Sequence, residues 1–165
     1  MSALDAVEEA GAAQAAWLGA CEAAYPKVFR ALVAMGASSE DAADAVQDAF
    51  ERALAVRGAT TSPDGWLFVV ALRRWRRGRW RQRLFGPLDV LRGHAAAGRS
   101  RDEELDLLAE LARLTERQRT VLVARYAVGL SQKEIGELLG ITSGTVAAIA
   151  HQATRKLRQR LGGSK

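Results

Sequence analysis

The stretch from Leu114 to Leu161 constrains this chain more than any other. Thr115 followed by Gln118 puts a hydroxyl at a helix start and an amide three residues on, the reciprocal capping-box pattern. Ser131 followed by Glu134 repeats it. Between them Val121, Leu122 and Tyr126 form an inner stripe at helical spacing, and Gly129 ends that helix. Ile135, Leu138 and Leu139 face inward on the next helix, and Gly140 supplies a left-handed turn. Thr142 or Ser143 then caps a last helix running through Val146, Ala150, Ala153, Leu157 and Leu161. A short helix, a Gly-containing turn and a second helix packed on the first is the helix-turn-helix arrangement, which sets the second helix against duplex DNA. The predicted base-edge contacts are Thr142, Ser143, Thr145, Ala147, Ala148, His151 and Gln152. Arg155, Lys156, Arg158 and Arg160 suit phosphates, and Gln132 and Lys133 lie where the first helix crosses the DNA backbone. A helical hairpin that packs on another protein is the bland alternative.

The rest of the chain also reads as helix. It has three prolines in 165 residues and no sustained period-two alternation of apolar residues. The predicted fold is all-α: two small helical domains, residues 12–83 and 104–161, joined by a linker over 84–103, where three glycines and a proline fall among mixed charges. Trp17, Leu18, Cys21, Tyr25, Val28, Phe29, Leu32 and Val33 set a helical pattern over residues 12–36, which Pro26 should divide or kink and Gly36 should close. Ser38 and Ser39 start the next helix, with Ala45, Val46, Ala49, Phe50, Ala53 and Leu54 on its apolar face. Asp41, Asp44, Gln47, Asp48 and Glu51 lie off that face. A loop over 58–63 follows, and a helix opened by Ser62 or Pro63 carries Trp66, Leu67, Val70 and Ala71 inward.

Charge divides the chain by partner. Residues 1–60 hold nine acids against four bases, whereas residues 61–101 hold ten arginines against two acids. The acidic block suits a protein surface and the basic block suits nucleic acid. Leu72–Arg83 packs seven arginines and two tryptophans into twelve residues, namely Arg73, Arg74, Trp75, Arg76, Arg77, Arg79, Trp80, Arg81 and Arg83. Arginines neutralise phosphates and tryptophan rings stack on unpaired bases, so this segment fits melted DNA better than duplex. Cys21 is the single cysteine, so no disulfide forms within the chain, and no Cys/His spacing suits zinc. There is no basic signal start and no apolar run near membrane-span length, so a cytoplasmic chain without a membrane is expected.

These pieces together resemble a bacterial sigma factor of the extracytoplasmic-function (ECF) type, over residues 17–83 and 104–161 in family order. Asp41-Ala42-Ala43-Asp44-Ala45-Val46-Gln47-Asp48-Ala49-Phe50 is similar to the family's "DAEDLVQETF" helix of region 2, and Trp66-Leu67-Phe68-Val69-Val70-Ala71 to its "WLFRIA". Leu114–Arg119 through Gly144-Thr145-Val146 is similar to region 4. The resemblance implies that Asp41, Asp44, Gln47, Asp48 and Glu51 dock on the clamp of the RNA polymerase core. It implies that residues 58–83, with Arg73, Arg74, Trp75, Arg76, Arg77, Arg79 and Trp80, hold the melted −10 element, and that region 4 reads the −35 element as duplex. An anti-sigma factor becomes a possible further partner. Two positions depart from the pattern. Where the family carries "RNxxxD" after "WLFRIA", the Asn falls at Arg73 or Arg74 and the Asp at Arg77 or Gly78. Where its recognition helix reads "GTVKSRLHRARKRLR", the Lys, Ser and Arg become Ala147, Ala148 and Ile149.

Two other functions compete with a sigma factor. Leu114–Val146 also resembles the output domain of LuxR-type regulators, though the first hundred residues look like neither a sensor nor a receiver domain. An adaptor that holds polymerase or a sigma-like target without reading DNA fits the Ala-rich last helix. With two histidines, one cysteine and no phosphate loop, no catalytic constellation and no cofactor are expected.

Overall fold

The computed structural model describes residues 2–56, 62–85 and 101–163. Among the described residues seven α-helices follow in order: α1 (Ala3–Met35), α2 (Ser39–Ala55), α3 (Pro63–Phe85), α4 (Arg101–Ala112), α5 (Glu116–Leu122), α6 (Gln132–Leu139) and α7 (Ser143–Gly162). A π-helical turn, Val123–Val128, continues α5, and no strand occurs among the described residues. Residues 58–61 of the predicted loop, with residue 57 before it, and 86–100 of the predicted linker lie outside the described residues.

The first three helices form a bundle through small-residue contacts. On α1 the buried side chains Trp17, Cys21, Ala24, Val28, Ala31 and Met35 alternate four- and three-residue steps, which keeps one stripe facing its neighbours. On α2 the buried set is Ala42, Ala45, Val46, Ala49 and Ala53, so the backbones of α1 and α3 come close. Leu67, Phe68, Ala71, Leu72 and Trp75 complete the core from α3. Each large side chain fully buried here contributes about 2 kcal/mol of transfer free energy.

Several sequence expectations change. α1 begins at Ala3, not near residue 12, because Ser2 and Asp5 form a capping box of their own. Pro26 does not divide it. Pro26 sits on the exposed side with Glu22, so water can take the carbonyl that its missing N–H leaves without a partner. Leu54 and Leu161 are exposed, not part of an inner face. Tyr126 is 67% exposed, although helical spacing predicts it inside. The π turn adds a residue to the repeat and rotates Tyr126 outward; it closes with the Gly129 N–H donating to the Ala124 carbonyl, which also accepts from Leu130 N–H at 2.9 Å.

The two helical units share one core. Val121, Val123, Ala124, Val128, Leu130, Ile135, Val146 and Ala150 pack in the same apolar cluster as α1, α2 and α3. Leu111, Leu114, Leu122 and Ala153 form a second cluster between α4, α5 and α7. Arg119 fastens the junction. Its Nη1 donates to the Met35 carbonyl at 3.0 Å, its Nε to Leu111 at 2.8 Å, and its Nη2 to Ala112 at 3.0 Å and Leu114 at 3.2 Å. One guanidinium therefore satisfies carbonyls at the C-terminal ends of both α1 and α4, where cations are favoured. Burial, and then the nearby Arg79, hold its pKa below the usual guanidinium value.

Candidate nucleic-acid and polymerase interface

The helix-turn-helix forms as its caps dictate. Thr115 accepts from Gln118 N–H at 3.2 Å, and Ser131 accepts from Glu134 N–H at 3.2 Å while its own N–H donates to Glu134 at 2.8 Å. Gly129 and Gly140 both take positive φ, 88° and 67°. The last helix is capped by Thr142, which accepts from Thr145 N–H at 3.2 Å. Gly136 lets the turn close: a Cβ there would lie 2.6 Å from the Ile141 carbonyl oxygen. Val146, Ala150 and Ala153 point inward on α7. Thr142, Ser143, Thr145, Ala148, His151, Gln152, Arg155 and Lys156 are exposed, Ala147 is half-buried, and on α6 Lys133 is exposed and Gln132 half-buried.

The arginine helix is less open than its sequence suggests. Arg73, Arg77 and Arg81 are exposed. Arg74 is ion-paired with Asp48 across to α2. Arg76 reaches to α5: its Nε sits 3.1 Å from a Glu116 carboxylate oxygen, and its Nη2 donates to the Thr120 hydroxyl at 2.8 Å. Thr120, fully buried, donates its hydroxyl hydrogen bond to the Glu116 backbone carbonyl at 2.7 Å. Sequence predicts stacking faces at both tryptophans, but only Trp80 is exposed, at 65%. Trp75 is 6% exposed and belongs to the core, with the Arg79 guanidinium 5.4 Å from its ring centroid. The apolar stripe Leu67, Phe68, Ala71, Leu72 simply continues one more turn into Trp75 before α3 leaves the bundle.

The acidic helix lies alongside. Asp44, Gln47 and Glu51 are exposed, while Asp41 and Asp48 are half-buried. Asp41 and Asp44 face Arg74, Trp75, Gly78, Arg79 and Gln82 across a cleft of about 190 Å³. Acid and arginine therefore meet on one side of the bundle, leaving Gln47 and Glu51 further along α2 toward its C-terminus. At the opposite end Trp17 and Trp66 meet edge to face, centroids 5.5 Å apart, over the buried Cys21. Burial, with the Asp64 carboxylate as a lesser cause, pushes the Cys21 thiol pKa up. Among the described residues no group of His, Cys, Asp and Glu is arranged to hold a metal. No described helix is long and apolar enough to cross a membrane.

Residues 20–84 match the profile of Sigma-70 region 2, and residues 111–159 match that of Sigma-70 region 4. The chain belongs to the sigma-70 family. The region 2 match runs from within α1 to the end of α3, and the region 4 match from the end of α4 through most of α7. The region 2 match falls within the first hundred residues, which a LuxR-like reading leaves unexplained. The ECF RNA polymerase sigma factor ShbA of Streptomyces griseus is 48% identical over 48 residues, 29% of this chain and 25% of ShbA. The RNA polymerase sigma factor FliA of Pseudomonas aeruginosa is 43% identical over 51 residues, 31% of this chain and 21% of FliA. The matched part thus spans about a quarter of the length of these curated relatives. Two solved structures share the fold more fully. The sigma factor RpoE of Bartonella quintana, in complex with the anti-sigma factor NepR, superposes with a TM-score of 0.69 at 21% identity, over 86% of this chain and 94% of that one. CnrH, in complex with the cytosolic domain of CnrY, superposes with a TM-score of 0.68 at 25% identity, over 97% and 96%.

What sequence reasoning missed is the contact between the two regions. Arg119, Thr120 and Glu116 are its polar members and Leu130 its apolar tip, which seats against Gly65. One signal was available: Val121-Leu122-Val123-Ala124 is an unbroken apolar run, more than a one-sided helix-turn-helix face needs, and Thr120–Ala124 is buried at every position.

Proposed function

We propose that this chain is a cytoplasmic ECF-type sigma factor. It binds the RNA polymerase core, recognises a promoter and assists its melting, and performs no catalysis of its own. The observation that carries the reading is the order of three surfaces on one chain: exposed acids on α2, exposed arginines on α3, and an open recognition face on α7. Residues 12–83 serve as region 2, 84–103 as the connection and 104–161 as region 4. Asp41, Asp44, Gln47 and Glu51 meet the polymerase clamp, with Asp48 holding Arg74 in place. Arg73, Arg77, Arg79 and Trp80 contact the melted −10 strand, and Trp75 props the helix from within. Because both solved neighbours are complexes, an anti-sigma protein is the natural third partner.

Run-off transcription with purified core polymerase on a promoter-bearing template tests this. Initiation should depend on the chain, and failure to bind core would refute the reading. Reversing the exposed Asp44 and Glu51 to Lys should weaken core binding at least several-fold while circular dichroism stays unchanged. Changing Trp80 to Ala should reduce open-complex formation more than closed-complex binding, because stacking on a base contributes about 1–3 kcal/mol only once strands part.

A further inference from the structure

The reading surface of α7 can be placed from its burial. Val146, Ala150, Ala153 and the half-buried Leu157 mark the inner side. At about 100° per residue, the ridge opposite runs Gly144, Ala148, then His151 and Gln152, then Arg155 and Gln159. Thr142 and Thr145 flank this ridge, but their hydroxyls are bonded to each other at 2.9 Å and the Thr142 oxygen also caps the helix, so they are engaged within the protein. The first turn holds no acid to repel phosphate. The ridge therefore presents, in order, a bare backbone at Gly144, a methyl at Ala148, an imidazole and an amide side by side at His151 and Gln152, and a guanidinium only at Arg155.

Each of these has a distinct partner in the major groove. A methyl packs against the thymine C5-methyl, a Gln amide bonds both N6 and N7 of adenine, and guanine calls for Arg or Lys. Gln152 follows Ala148 by one turn, about 6 Å along the helix axis, which spans roughly two base-pair steps. Small residues at 144 and 148 also let the helix sit close to the base edges. Resting on the reading of region 4 as a duplex-DNA binder, we infer that α7 selects an A·T-rich element. Ala148 reads a thymine methyl, Gln152 reads an adenine within two steps of it, and no arginine or lysine that would read guanine stands ahead of Arg155 on the ridge.

The test selects duplexes from a randomised pool, using the full chain alone and the chain assembled with core polymerase. The selected element should contain the thymine and adenine at that separation. Replacing the thymine by uracil removes only the methyl and should weaken wild-type binding about three-fold or more, a measurement that needs no protein variant. Ala148→Gly should abolish that uracil penalty. Gln152→Glu should move the preference at its position from adenine to cytosine, whose N4 amino group a carboxylate accepts from. An unaffected uracil duplex, or a selected guanine whose preference survives Arg155→Ala, would overturn the inference, as would the absence of any sequence preference in both forms. Sequence selection by the chain alone, without core binding or initiation, would instead leave this inference standing and remove the sigma-factor reading.

Discussion

Gly136 and Gly65 occupy similar crowded positions with different consequences. A Cβ on Gly136 would press into the backbone of the turn, at Ile141, which cannot move without changing the angle between α6 and α7. A Cβ on Gly65 would meet side chains only, the tip of Leu130 at 2.5 Å and the Ser62 hydroxyl, which accepts from the Gly65 N–H, at 2.8 Å, and side chains give more readily than backbone. Gly136→Ala should therefore lose about 1–3 kcal/mol and weaken duplex binding, whereas Gly65→Ala should lose less and leave duplex binding intact. Thermal denaturation and a gel-shift titration of both variants check the ordering. Cys21 gives a second expectation. Its raised thiol pKa means that the folded chain holds this proton more tightly than the unfolded one. The contribution is complete below the ordinary thiol value and declines as pH rises through it toward the folded value. Native protein should react slowly with a thiol reagent at neutral pH, and alkaline melting of Cys21→Ala should show a shallower pH dependence than wild type. The roles of Thr115, Ser131, Gly129 and Gly140 were legible in the sequence because capping and left-handed turns are local. The burial of Trp75 and the exposure of Tyr126 were not, because each depends on where a helix leaves its neighbours.

At the scale of elements, the caps set the helix-turn-helix. Thr115→Ala and Ser131→Ala should each cost about 1 kcal/mol, and the double variant about twice that, since the two sites share no partner. Urea denaturation measures this, and a much smaller loss would show that tertiary packing holds those helix starts instead. The sequence placed five of the helix starts close to their observed positions through Ser38, Pro63, Thr115, Ser131 and Thr142. It placed the start of α1 too late because Ala-rich residues 3–16 carry little apolar periodicity, being exposed along most of their length. The π turn escaped because nothing in Val123–Val128 departs from an ordinary apolar helix sequence.

At the scale of the molecule, region 4 is docked on region 2, and Arg119 is the centre of that contact. Arg119→Met keeps most of the aliphatic volume but leaves four carbonyls without their donor. Stability should fall by about 2 kcal/mol or more, with the distance between fluorophores on α2 and α7 increasing in the folded protein. No change in that distance would show that the apolar cluster alone fixes the arrangement. The paired arginines of α3 have a consequence of a different kind, in how strand binding responds to salt. A free arginine that takes up a phosphate releases a condensed counterion, about 0.7 per contact for a single strand. Arg74 and Arg76 already hold Asp48 and Glu116, so a phosphate reaching either one exchanges one anion for another. The affinity of the chain for single-stranded DNA should thus fall with ionic strength less steeply than its arginine count predicts, and Glu116→Gln should restore part of the missing slope.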